Sequence, residues 1–149
     1  MSGWRLEPAK NGKPALVRPD GTWCESRFKP NLDAERRVED AGLGNGDRVL
    51  LIGAGGGELP RAILRRIGAG RLVIAEPEDA IVALLASSDA TRDILTDPRV
   101  HVITLASAAR NVPGHAAASP RDFLRALTAC DYTRYLVHPG LSIPPGLES

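Results

Sequence analysis

Gly53, Gly55, Gly56 and Gly57 crowd into one short stretch, and Glu76 follows at the end of an apolar run. A loop with almost no side chains lets the backbone take positive φ and approach a ligand closely. A carboxylate about twenty residues further on is placed to accept hydrogen bonds from ribose hydroxyls. The candidate cofactor-binding set is therefore Gly53, Ala54, Gly55, Gly57 and Glu76. His138 joins it, because it should emerge at the same edge of the fold. The pattern is G-x-G-G-G-E, with Glu58 standing where a dinucleotide fingerprint has its third glycine. A carboxylate at a helix mouth already satisfies the positive end of the dipole and repels a pyrophosphate. NAD and FAD fall in rank, and S-adenosylmethionine or a nucleoside or nucleotide held by its ribose rises. A purely structural reading stands beside this one: the glycines permit a tight turn, and Glu58 caps the helix.

Other chemistry is thin. His101, His115 and His138 are scattered without metal-ligand spacing, and no Ser-His-Asp order sits on a nucleophile elbow. His101 alternates with valines and reads as a rim or core histidine. Cys24 and Cys130 are too few for a disulfide framework and read as packed thiols. The sequence offers neither a catalytic set nor a metal set.

The elements that must position the glycines and the acid follow from the apolar pattern. Val49-Leu50-Leu51-Ile52 is a short continuous apolar run, as expected of a parallel strand buried on both faces. Pro60 suits the first position of a helix whose buried stripe is Ala62, Ile63 and Ile67. Residues 71–75 form a second strand ending at Glu76, which completes a βαβ unit. Pro77 can start a third helix, with Glu78 and Asp79 in its first turn and Ile81, Val82, Leu84 and Leu85 on its buried side. Asp89 or Thr91 can cap a short turn over 92–95, and strands are expected at 100–104 and 135–137. Residues 106–118 read as a loop, and Ser119-Pro120 starts a helix with Phe123, Leu124 and Leu127 inward.

Ahead of this core, residues 14–26 read as two β segments around Pro19-Asp20-Gly21, preceded by a polar lead. Trp23 and Val17 are expected to cover an edge of the main domain. A helix over 32–41 carries Leu32, Ala34 and Val38 among charges that read as a solvated face. The fold class is α/β and Rossmann-like, a small doubly wound, mostly parallel sheet with an N-terminal β-hairpin. The divisions are 1–46 for lead, hairpin and helix, 47–140 for the core and 141–149 for a proline-bearing tail, all in one compact domain.

Composition adds exclusions. The chain has 149 residues, 43% of them apolar, and 19 basic against 18 acidic side chains. That length fits one domain, and the even charge balance steers it to neither nucleic acid nor a membrane surface. No stretch has the form of a secretory leader or a membrane span, so a cytoplasmic location is expected.

Over residues 12–138 the order of features resembles the N-terminal domain of the motility accessory factor family, bacterial proteins associated with flagellin glycosylation. The matching pieces are the hairpin with Pro19-Asp20-Gly21, then Ser26-Arg27-Phe28-Lys29-Pro30 followed by Ala34-Glu35-Arg36, then the glycine loop. They continue through Val73-Ile74-Ala75-Glu76-Pro77, the stretch from Asp93 to His101, and Leu136-Val137-His138-Pro139. Lys29 departs from the family, which has an acid there. The resemblance implies an accessory domain, non-catalytic alone, that binds a nucleoside-type molecule or docks to a glycosyltransferase or flagellar partner. The family's transferase activity belongs to a domain that follows this one. The alternative is a class I S-adenosylmethionine-dependent methyltransferase or an aminopropyltransferase-like enzyme. It is supported by the strand running into the glycines, by Glu76 and by Asp97-Pro98-Arg99-Val100. Against it stand Leu105-Ala106-Ser107 and His138-Pro139-Gly140, where such enzymes keep an acid and an Asn- or Asp-Pro-Pro.

Overall fold

The structure, a computed structural model, describes residues 3–104 and 132–140. Two short strands, Arg5–Pro8 (β1) and Pro14–Val17 (β2), pair antiparallel with Leu6 opposite Leu16. Gly12 closes their turn at φ +85°, its N–H donating to the Ala9 carbonyl at 2.9 Å. The hairpin therefore forms one step earlier than the sequence suggests. Pro19-Asp20-Gly21 does turn the chain, with Gly21 N–H on the Arg18 carbonyl at 2.9 Å, but it leads only to a single bridge between Val17 and Trp23. Residues 5–8 hold one apolar side chain before Pro8, too little alternation to announce a strand. Pairing with β2 fixes them.

Ser26 Oγ accepts the N–H groups of Phe28 and Lys29 at 3.1 and 3.0 Å and turns the chain into Pro30–Asp40 (α1). Ala34 and Val38 are buried, whereas Leu32 is 52% exposed. It lies roughly 200° around the helix from Ala34 at 3.6 residues per turn.

Arg48–Ile52 (β3), Arg71–Ala75 (β4), Val100–Ile103 (β5) and Arg134–Val137 (β6) form a wholly parallel sheet in the order β5-β4-β3-β6. Leu51 sits opposite Ile74 on one side and Leu136 on the other. The chain winds from β3 out to β5 and then crosses back to the far side of β3, the double winding expected. This reversal sets the carboxyl ends of β3 and β6 side by side at a switch point, the position at which open α/β sheets take ligands.

Glu58–Ile67 (α2) connects β3 to β4, and Asp79–Ser87 (α3) and Arg92–Thr96 (α4) connect β4 to β5. Val49, Leu51, Leu72 and Ile74 share one core with Ile63 and Ile67 of α2, Ile81 and Leu85 of α3, Ile94 of α4, and Ala34 and Val38 of α1. Each large aliphatic side chain buried there contributes about 1.5–3 kcal/mol.

Boundaries moved for physical reasons. α2 starts at Glu58, so Pro60 is its third residue; N–H groups of the first turn have no helical partner, and proline is tolerated there. α3 starts at Asp79, because the Glu78 N–H is taken by the Glu76 carboxylate. Its Val82 and Leu84 are half-buried. Thr91 precedes α4 but does not cap it, since its hydroxyl donates back to the Leu85 carbonyl at 2.6 Å. His101 is exposed on β5. The expected loop over 106–118, the helix from Ser119, His115, Cys130 and the tail lie outside the described residues.

Candidate functional site

The glycine turn leaves β3 between two strand ends, and carboxylates meet it from both sides. On the β4 side, Glu76 Oε1 accepts the Ala54 N–H at 3.0 Å, and its Oε2 accepts the Glu78 N–H at 2.9 Å. On the hairpin side, Glu25 Oε1 accepts the N–H groups of Gly56 and Leu16 at 2.9 and 2.8 Å. The amides that would cradle a phosphate at Ala54 and Gly56 thus already hold internal anions. Gly53 takes φ +95°, Gly55 +58° and Gly57 +101°. The close approach the sequence anticipates is real, but at Gly55 and Gly56 the neighbours are protein. A Cβ on Gly56 would lie 2.9 Å from the Leu16 nitrogen, and one on Gly55 would lie 2.2 Å from His138 Nε2.

His138 leaves the end of β6 beside the glycine turn and is 3% exposed. Its Nδ1 accepts the Gly140 N–H at 3.0 Å, so the ring proton resides on Nε2, which faces Glu25 Oε2 at 3.3 Å. Both ring nitrogens are engaged, which makes the imidazole a strut between β6 and the hairpin and leaves it no free nitrogen for proton transfer.

Glu76 is 2% exposed. Burial pushes its carboxyl pKa up, and the Ala54 and Glu78 amides and the nearby His138 pull it partly back. An ionised carboxylate offers about four acceptor positions, of which donors among the described residues fill two. Glu58, the first residue of α2, is 3% exposed and is likewise pushed up by burial against the opposing pull of Arg61, Lys13 and Arg65. The rim therefore carries Glu25, Glu58 and Glu76, chemistry that suits hydroxyl donors or a cationic group and disfavours phosphate.

Open space lies on the hairpin side of this turn. A cleft of about 360 Å³ runs between α1, the segment from Trp23 to Ser26, Leu59 of α2 and the His138-Pro139-Gly140 end of β6. Arg18 ties its walls together, donating to the Gly140 carbonyl at 3.0 Å and the Trp23 carbonyl at 3.2 Å. Trp23 is half-buried with the Arg27 guanidinium 5.2 Å from its ring centroid, and Val17 is fully buried. Cys24, also in the wall, is a free thiol whose pKa burial raises to about 11.

Of the six residues singled out from sequence, Gly53, Ala54, Gly55, Gly57, Glu76 and His138 all converge at the carboxyl ends of β3, β4 and β6, and all are buried. Only His138 also lines the cleft. Sequence reasoning missed Glu25, which joins the hairpin, the glycine turn and β6; nothing in its local pattern marks it. Asp33 and Arg37, read as part of a solvated face, are half-buried and exposed respectively, and both also line the cleft. Among the described residues no group of three or more metal-ligating side chains converges, and no helix is long and apolar enough to cross a membrane.

No family model matches the chain, and no curated protein does. Among solved structures it is similar to a protein-L-isoaspartate O-methyltransferase, with a TM-score of 0.48 and 17% identity, over 92% of this chain and 34% of that one. It is also similar to a mutant of MtNAS in complex with S-adenosylmethionine, with a TM-score of 0.40 and 21% identity, over 72% of this chain and 44% of that one. The chain thus spans less than half the length of either protein.

Proposed function

We propose that this chain is a binding domain for a phosphate-free nucleoside-type ligand, S-adenosylmethionine or a thionucleoside derived from it, with no catalytic groups of its own. The observation that carries the reading is Glu76. Its carboxylate faces the glycine turn, is shielded from solvent, and has two donors among the described residues. Ribose hydroxyls donating to the open acceptor positions of Glu76 supply what desolvation removed, without breaking the bonds from Ala54 and Glu78. Anionic ligands meet Glu25, Glu58 and Glu76 instead of free amides. The feature order shared with the motility accessory factor domain supports an accessory role beside a glycosyltransferase.

A thermal-shift screen tests the reading, since a ligand that binds only the folded state raises stability by mass action. S-adenosylmethionine, S-adenosylhomocysteine or 5′-methylthioadenosine is expected to raise the melting temperature, while NAD, FAD and cytidine monophosphate leave it unchanged. A shift with the phosphorylated compounds alone would overturn the reading.

A further inference from the structure

We propose that the cleft between α1 and the end of β6 is a second binding site, specific for a free α-amino acid with an apolar side chain. The inference does not depend on the nucleoside reading, because the cleft excludes Gly53, Ala54 and Glu76. Its floor is prebuilt. Glu25 accepts three N–H groups, from Leu16, Gly56 and His138, so its charge is satisfied within the protein.

The charges on the walls are not satisfied in that way. Among the described residues Arg18 donates to neutral oxygens, those of Thr22 Oγ1, the Trp23 carbonyl and the Gly140 carbonyl; the Asp20 carboxylate feels its charge but forms no ion pair with it. Asp33 and Arg37 line the same cleft one helical turn apart. That spacing commonly produces an ion pair, yet neither head group has a partner among the described residues.

A diacid entering the cleft would meet Asp33, and a diamine would meet two guanidinium groups. An α-ammonium carboxylate satisfies both signs, its carboxylate on Arg37 and Arg18 and its ammonium on Asp33. Trp23, Leu59 and Pro139 then face the side chain. The cavity, about 360 Å³, is at the small end of ligand pockets and suits a compound of this size.

Calorimetry on the full chain with phenylalanine, 3-phenylpropionate and 2-phenylethylamine tests the assignment. Phenylalanine is expected to bind, and the analogues lacking its ammonium or its carboxylate to bind at least about tenfold more weakly. Asp33→Asn should weaken phenylalanine about tenfold and leave 3-phenylpropionate unchanged; Arg37→Gln should weaken both acids and spare the amine. Both positions are on the surface side of α1, and an unchanged melting temperature verifies that the variants fold. No binding of phenylalanine, or equal binding of 3-phenylpropionate, overturns the proposal. Because 5′-methylthioadenosine lacks the amino-acid group, its binding reports on the glycine rim alone, and the two proposals fail separately.

Discussion

Glu25 holds three parts of the chain with two oxygens, and its removal is the residue change with the widest reach. Glu25→Ala leaves the buried N–H groups of Leu16 and Gly56 and the His138 ring proton without their acceptor. An orphaned buried donor costs about 1–3 kcal/mol, so urea denaturation should show a total loss of about 3–5 kcal/mol. Glu25→Gln keeps an oxygen for the two amides but turns an NH2 toward His138 Nε2–H. Its loss should be about half as large. Glu58 behaves oppositely. Burial raises its pKa above the ordinary 4.5, so the folded state holds its proton more tightly than the unfolded chain. Stability from this group is therefore present below about pH 4.5 and is lost as pH rises through the raised folded value. Glu58→Gln should raise the melting temperature at pH 7, by about 4 °C if the gain is ~1 kcal/mol. Melts recorded from pH 4 to pH 8 should show a smaller decline than the parent. An unchanged pH profile would mean that the Glu58 carboxylate is solvated. Cys24, with a pKa of about 11, should resist iodoacetamide at pH 8 in a Cys130→Ser background until denaturant is added.

At the scale of elements, the glycine turn is a packing device as well as a candidate ligand loop. Gly55 combines φ +58° with a Cβ position 2.2 Å from His138 Nε2, whereas Gly12 has φ +85° and nothing within 4 Å. Gly12→Ala should cost only the backbone strain, about 1 kcal/mol, and Gly55→Ala about 3 kcal/mol or more because β6 must also shift. Equal losses by chemical denaturation would contradict the contact between the turn and His138. The elements also mark where sequence reasoning succeeds. β3, β4 and β5 are short runs of β-branched and aliphatic residues between turns, and hydrophobic burial alone specifies them. The hairpin was displaced because β1 is a four-residue strand held by its partner, a tertiary effect that no local pattern carries.

For the whole molecule, the double winding was legible because a strand, a glycine turn, a helix and a second strand ending in an acid admit few other arrangements. What was not legible is how the N-terminal hairpin lies across the turn. Glu25 and Leu16 reach Gly56 from 31 and 40 residues upstream, and only the folded chain brings them together. That contact is why the rim carries carboxylates from both directions, and why the account assigns it a ligand with hydroxyl donors and no phosphate. Ribose hydroxyls need Glu76 as an acceptor, and burial has raised its pKa. The most direct measurement is therefore isothermal calorimetry of 5′-methylthioadenosine from pH 4.5 to pH 8, on the parent protein and on Glu76→Gln. Parent affinity should rise with pH through the raised Glu76 pKa and then level, and the variant should bind at least about tenfold more weakly with no such rise. Binding that ignores both pH and the substitution would contradict it.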